Sequence, residues 1–423
     1  MIRRFIAIGL IFSCVSVAWF VLGGVTSQRT HTADATLRSQ VVRLWGAPQV
    51  QMPPSVTATL RVTKQVESLE EGKRIVRKVE EDLVDKVAPE GSDVQVKLDL
   101  AHRQKGLLWY ATYNVTFGAA YEIVNDSAHA RRFEIALPFP AKQAVFDDLQ
   151  FEISGKSWTA APASTRDRIA GTVDLEPAER IVLNVGYRSQ GMDRWSYGFG
   201  EGVAEVRNFR LAMRTNFNDI DFPEDGMSPG RKERAGEGWL LNWDFKRLVS
   251  GVSITMLMPE KLQPGPLASQ IVTFAPVSLL FFIVVLLTIG IVRRVDLHPM
   301  HFLFIAASFF AFHLLFAYLA DQVSINAAFA IAAVTSLALT TSYLRVAFGN
   351  RFAFLAAGTA QLVYLVLFSY AFFFKGLTGL AITIGAVATL FVLMQTTARI
   401  DWNEIFARHR AATPPDPAAL SVC

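Results

Sequence analysis

Between Ser269 and Ala398 only seven of 130 residues are charged: Arg293, Arg294, Asp296, Asp321, Arg345, Arg351 and Lys375, each at a break between apolar runs. A run of about 20 apolar residues, wound as a helix, matches the hydrocarbon thickness of a bilayer. In that medium every backbone amide needs a partner within the protein, and runs without strand-like alternation find one only as helices. The sequence therefore predicts membrane helices over 271–292, 302–320, 325–344, 352–374 and 376–398, preceded by one over 5–25. The chain is 52% hydrophobic and 18% charged, which is too apolar for an ordinary soluble protein of its length.

Orientation follows from the basic residues. With both ends inside, Arg3, Arg4, Arg293, Arg294, Arg345, Arg351, Arg399, Arg408 and Arg410 are all cytoplasmic, and the short outer turns hold Lys375. The first apolar run is longer than the core of a cleaved signal peptide, so an uncleaved anchor is expected. The resulting organisation is a cytoplasmic 1–4, a first span over 5–25, an outer domain over 26–270, five helices over 271–398 and a cytoplasmic tail over 399–423. The expected fold is an integral membrane α-helical bundle of six transmembrane helices, with a large, mainly β periplasmic domain between helices 1 and 2. The net charge of +4 is small and gives no case for nucleic-acid binding.

The outer segment is long enough for a core of its own and contains no cysteine, since the chain's two are Cys14 and Cys423. SVTATLRVT, DVQVKLDLA, WYATYNVTF, RRFEIALPF, LQFEISG, RIVLNVGYR, VRNFRLAMR and VSITMLMP alternate apolar and polar residues or cluster β-branched and aromatic ones. Short strands repeated in this way predict an antiparallel sandwich or split barrel. KQVESLEEGKRIVRKVEEDLVDK reads either as a charged helix or as two strands turning at Glu70-Glu71-Gly72-Lys73, and the sheet context favours the hairpin. GMDRWSYGFGEG is read as a turn plugged by aromatics. FNDIDFPEDG carries Asp219, Asp221, Glu224 and Asp225 without the ordered alternation of a calcium loop, and is read as a solvated loop. Asn114-Val115-Thr116 and Asn125-Asp126-Ser127 fit the glycosylation triplet, as strands and turns do by chance.

The most polar stretch among the helices is RRVDLHPMHFLF. His298 and His301 sit three apart with Asp296 nearby, a spacing that fits a metal site. The preferred alternative is a border at the headgroup level, with a helix beginning at Pro299 and His298 at its edge. His313 falls near the middle of its span, where an ionisable group is a functional candidate by default. Asp321 lies eight residues on at the outer end, and the two are candidates for a proton or cation path assisted by Gln361 and Tyr364. Against that stands a neutral His313 bonded to a neighbouring helix. Ala381, Gly385 and Thr389 form a small-residue stripe suited to close helix contact.

Leu297-His298-Pro299-Met300, after a span ending in Arg-Arg and before the next, resembles the signature of the CreD family of bacterial inner-membrane, cell-envelope integrity proteins. ARIDWNEIF, with Asp401 and Trp402 just past the last span, is similar to the family's ending. Trp45-Gly46-Ala47-Pro48 and HRQKGLLWYATYNVTFGAAYEI are similar to its early segments. The chain departs from the family at Ala320-Asp321-Gln322, where members tend to have Ser-Glu-His, and in the acidic TNFNDIDFPEDG. The resemblance implies an inner-membrane protein tied to envelope stress and integrity, without enzymatic activity or cofactor. Its partners would be the lipid bilayer and an envelope protein or cell-wall component. A small transporter or channel using His313 and Asp321, and a membrane enzyme acting on lipid or cell-wall intermediates, are the alternative readings.

Overall fold

The computed structural model describes residues 2–70, 73–106, 108–142, 144–200, 204–293, 295, 297–374, 376 and 378–398. It opens with one long helix, α1 (Ile2–Trp45). The chain offers no proline before Pro48, so the helix continues well past the apolar run at 5–25 until Gly46 ends it. Strands follow: β1 (Gln49–Gln51), β2 (Ser55–Glu70), β3 (Lys73–Val87), β4 (Gly91–Lys105), β5 (Leu108–Val124), β6 (Arg131–Pro138), β7 (Phe146–Ser154) and β8 (Ala160–Ser164). Next are β9 (Arg168–Leu175), β10 (Arg180–Met192), β11 (Arg194–Tyr197), β12 (Ala204–Thr215), β13 (Arg231–Ala235), β14 (Gly238–Ser250) and β15 (Ile254–Leu257). The remaining helices are α2 (Pro264–Arg293), α3 (Pro299–Leu319), α4 (Ile325–Phe348), α5 (Arg351–Phe373) and α6 (Thr378–Thr397). Six helices among the described residues are long and apolar enough to cross a membrane.

Two compact units result: residues 1–35 with 262–423, and residues 36–261. In the second, the strands form a seven-stranded sheet in the order β13-β14-β12-β4-β5-β10-β7, a five-stranded sheet β3-β2-β6-β9-β8 and a three-stranded sheet β1-β11-β15. The alternation of β4 buries Val94, Val96 and Leu98 and exposes the residues between them. Together with Phe117 and Tyr121 of β5, Phe133 of β6, Phe209 of β12 and Trp243 of β14, they enter one core shared by all three sheets. The expected strands are present, but the sheets are mixed: β12 runs parallel to β4 and β1 parallel to β11, pairs that the chain reaches only through long connections. The ambiguous charged segment is the β2–β3 hairpin, in register from Val56–Val87 to Glu70–Lys73.

The segment read as an aromatic-plugged turn contains a strand. Arg194–Tyr197 forms β11, central in its sheet, with Trp195 and Tyr197 buried. Its neighbour β1 reverses the usual alternation, burying Gln49 and Gln51 and leaving Val50 partly exposed. The reversal is tolerated because both amides make hydrogen bonds, although Gln49 Oε1 has no partner among the described residues: Gln49 Nε2 donates to Ser189 Oγ (2.8 Å), and Gln51 Oε1 accepts from the Tyr187 hydroxyl (2.7 Å). Burial pushes the hydroxyls of Tyr113, Tyr121, Tyr187 and Tyr197 above the ordinary tyrosine range, so they remain neutral hydrogen-bonding groups.

The end of α1 belongs to this β unit. Val41, with Leu37, Val42 and Trp45 around it, packs on Leu108, Tyr110 and Met192. The Arg103 guanidinium lies 3.5 Å from the Trp45 ring centroid, so the Trp-Gly-Ala-Pro segment and the basic-aromatic run at 102–123 meet in space.

In the helical unit, Gly23 of α1 lies close to α2, with its carbonyl accepting from Ser269 Oγ at 3.2 Å. A Cβ at Gly265 would lie 2.2 Å from Thr30 Oγ1, so α1 and α2 also approach closely there. Phe282 of α2 and Phe302, Phe309, Phe312 and Phe316 of α3 are buried between helices.

Candidate functional site

The helix α3 begins where its sequence directs. Pro299 needs no N–H at the first helical position, and His298 caps the turn through Nδ1, which accepts from the Met300 N–H at 3.3 Å. His301 Nδ1 lies 2.8 Å from the Tyr343 hydroxyl, and its ring meets Phe348 edge-on. The two imidazoles thus have different partners, one on its own helix start and one on α4. Among the described residues no group of three or more metal-ligating side chains occurs. Asp296, Asp401 and Trp402 lie outside the described residues.

His313 is fully buried. Its Nδ1 lies 2.8 Å from the Phe309 carbonyl of its own helix, so this nitrogen carries the hydrogen and Nε2 is left as an acceptor. The ring abuts Trp19 of α1 edge-on at 5.3 Å between centroids. The neighbour-helix hydrogen bond expected for His313 is therefore a bond within α3, and the neighbouring helix supplies an aromatic wall. Among the described residues, His313 Nε2, Trp19 Nε1, Gln361 Oε1 and Ser369 Oγ are buried without a hydrogen-bond partner.

A polar knot lies between α3, α4 and α5. Ser308 Oγ is 2.7 Å from Thr340 Oγ1 and donates to the Ser336 carbonyl at 3.0 Å, while Ser336 Oγ donates back to the Ser308 carbonyl at 2.8 Å. Gln361 Nε2 donates to Ser336 Oγ at 2.9 Å. The helix α5 is wound wide, as π-helix, over Arg351–Gly358 and Leu362–Leu367, leaving Gln361 in a short α-helical link between the two. The Tyr364 hydroxyl lies 2.7 Å from Thr389 Oγ1 of α6. Close helix contact does not form at Gly385, where an added Cβ would meet nothing within 4 Å. Gly385 and Thr389 instead border a cavity of about 350 Å3 with Phe281, Tyr364 and Val392.

Asp321 pairs with Arg29, near the end of the helical-unit portion of α1. Arg29 also reaches the Ala317 carbonyl at 3.4 Å and lies over the Tyr318 ring. The sequence places Asp321 near His313, but α1 supplies its partner from 292 residues away. No local pattern around Asp321 marks that pairing, and the only hint is Arg29, isolated after a run of apolar residues. With both side chains partly exposed, the ion pair contributes at most about 1 kcal/mol. Asp321→Asn is expected to lower thermal stability by no more than that, and adding Arg29→Gln should cost nothing further. A double-mutant cycle of melting temperatures in detergent checks this, since additive losses would mean that the two residues do not interact.

The β unit carries an exposed cluster of another kind. Lys232 Nζ lies 4.1 Å and Arg234 Cζ 4.4 Å from the Trp239 ring centroid. The Trp239 Nε1–H donates to the Asn218 carbonyl at 3.0 Å, and Arg234 donates to Asn218 Oδ1 at 2.6 Å. These bonds dock the start of the acidic segment that holds Asp219, Asp221, Glu224 and Asp225. Sequence reading treated that segment alone, because the residues that hold it lie on the β13–β14 hairpin.

Residues 269–403 match the family model described as inner membrane protein CreD, a stretch that begins inside α2 and includes the His298 cap, His313 and the Ser308–Gln361 knot. Over this segment the chain is similar to the CreD family. It is accordingly a membrane protein, and the CreD segment holds most of the candidate residues above. No curated protein sequence matches the chain. Among solved structures, a putative nutrient binding protein from Legionella pneumophila aligns at 9% identity and a TM-score of 0.29, covering 40% of this chain and 68% of that one. A two-domain M1 zinc metallopeptidase mutant bound to L-tryptophan aligns at 10% identity and a TM-score of 0.20, covering 40% and 43%. Likenesses this slight carry no argument about fold or function.

Proposed function

We propose that this CreD-family chain is a multi-pass inner-membrane protein with both termini in the cytoplasm. Its β unit lies in the periplasm and supports envelope integrity, without enzymatic chemistry, by binding an envelope protein or cell-wall component. The six apolar helices and the placement of basic residues support the topology. The observation that carries the binding role is the pairing of Asp321 with Arg29. The acidic group that a cation path would need is engaged in joining α1 to α3, and His313 Nδ1 is held by its own helix. The exposed Lys232 and Arg234, stacked on half-buried Trp239, by contrast, present two cations where a partner can reach them.

A second reading rests on one observation. His313 Nε2 and Gln361 Oε1 are buried acceptors without partners, and Gln361 stands between two wide-wound stretches of α5, a feature frequent at working sites in helices. These groups would suit passage of a small polar solute. Complementation of a deletion strain under envelope stress separates the two. Arg29→Gln/His313→Leu/Asp321→Asn, which removes the path groups without stranding a charge, is expected to restore survival fully. Lys232→Ala/Arg234→Ala/Trp239→Ala is expected to restore little at equal membrane abundance. The reverse pattern would sink the binding role and make flux through the helices the function.

A further inference from the structure

The hairpin β2–β3 extends beyond its sheet. Strand β6 pairs with β2 only from Ser55 to Thr59, so among the described residues Leu60–Glu70 of β2 has β3 as its sole strand partner. The result is a long two-stranded ribbon, an arrangement that is marginal in water without a third strand or a packed face. Strand β3 is also the edge of its sheet, and among the described residues no strand pairs with its outer backbone groups along fifteen residues. Val79, Leu83 and Val84 on it are 46%, 43% and 60% exposed. Native sheets keep exposed edges short or guard them with charge, because a long free edge templates another strand.

The charges on this edge are sorted rather than scattered. Lys73, Arg74, Arg77 and Lys78 fill its first half, and Glu80, Glu81, Asp82 and Asp85 its second, with Lys86 the one cation near its end. An edge of one sign would repel its own copy. This edge, turned end for end about Val79, sets Lys78 against Glu80. The same register brings Val79 opposite itself, with no like charges facing each other at 78 and 80. Opposite charges and apolar side chains directly across an antiparallel pair are stabilising, and like charges are destabilising. We propose that two copies of this chain associate through antiparallel pairing of their β3 edges, with Val79 on the two-fold axis. The ribbon then becomes part of a four-stranded layer continuous across the dimer. This interaction is distinct from the Trp239 cluster, on the edge of the seven-stranded sheet, and leaves that surface open.

Disulfide trapping in membranes holding the full-length protein tests the pairing, in a background with Cys14→Ser and Cys423→Ser. Antiparallel partners stand about 4.5–5.5 Å apart at Cα, within disulfide reach. Val79→Cys is expected to form a covalent dimer. Val84→Cys, more exposed but roughly 30 Å from its own copy in this register, should form none. Adding Lys78→Glu or Glu80→Lys to Val79→Cys is expected to lower dimer yield about tenfold, since each creates two like-charge pairs per dimer. Coexpressing the two charge variants, or combining both changes in one chain, should restore the yield, because opposite charges again face each other. Equal trapping at positions 79 and 84, or no recovery in the coexpressed pair, would overturn the proposal. So would capture of a different protein by Val79→Cys in place of the self-dimer.

Discussion

Asn125→Ala is expected to destabilise the β unit by about 3–5 kcal/mol, because it strands several buried groups at once. Asn125 has no exposed surface and links the turn after β5 to two neighbouring elements. Its Nδ2 lies 2.9–3.0 Å from the carbonyls of His129, Leu175 and Glu176. Its Oδ1 accepts from Ser127 Oγ at 2.8 Å and from the Nε–H of buried Arg131 at 2.9 Å. Alanine removes both ends of this bridge without providing space or partners for the carbonyls and guanidinium left behind. Asn125→Asp should fare no better, because a carboxylate oxygen would replace the amide nitrogen against three carbonyls. Asn114→Ala, at the exposed position of the other glycosylation-type triplet, is expected to stay within about 0.5 kcal/mol. Chemical denaturation of the full-length protein in detergent, followed through the tryptophans of the β unit, reads all three. A loss below about 1 kcal/mol for Asn125→Ala would mean that the turn does not depend on this amide.

The contrast between the two asparagines marks what periodicity conveys. Alternation in DVQVKLDLA or WYATYNVTF records which side of a strand meets the core, because burial of apolar surface drives the fold and repeats every second residue. The β-rich domain and the apolar helices were legible for that reason. Polar burial leaves no such trace. Gln49 and Gln51 look like surface residues until Ser189, Gln190 and Tyr187 supply partners from β10. Arg194-Trp195-Ser196-Tyr197 is too short and too close to glycines to declare itself a strand, and becomes one because β1 and β15 flank it.

Among the candidate residues, those whose role is local were the easiest to place. His298 and Pro299 specify a helix start within three residues, so the cap could be anticipated from the peptide alone. His313 and Asp321 were linked by their spacing along one helix, but each takes its main neighbour from α1: Trp19 for the histidine and Arg29 for the aspartate. A helix distant in sequence decides both environments, and no spacing within 299–321 contains that information. The same limit hid the docking of the acidic loop onto Trp239 and Arg234.

Gly46→Ala is expected to destabilise the β unit by about 2–5 kcal/mol, through two effects that act together. Gly46 ends α1, and its N–H donates to the Val42 carbonyl at 2.9 Å. It does so at φ +100°, a conformation that a residue with a Cβ adopts only under strain. A Cβ there would also stand 2.3 Å from the Gln190 carbonyl oxygen, which is backbone of β10 and cannot swing aside as a side chain can. The glycine therefore fixes the point where helix becomes strand, and Pro48 just beyond prevents the helix from resuming. Gln190 is held from the other side by Gln49, whose Nε2 donates to the same carbonyl at 2.9 Å, so relieving the clash would break that bond as well. An alanine would have to push β1 away from β10 or unwind the last turn of α1, which would lift Trp45 from Arg103. Limited proteolysis at 37–50 separates these outcomes from tolerance. Rapid cleavage there in Gly46→Ala, with the helical unit still intact, is the expected result, and wild-type resistance would show that the segment accommodates a side chain at this position.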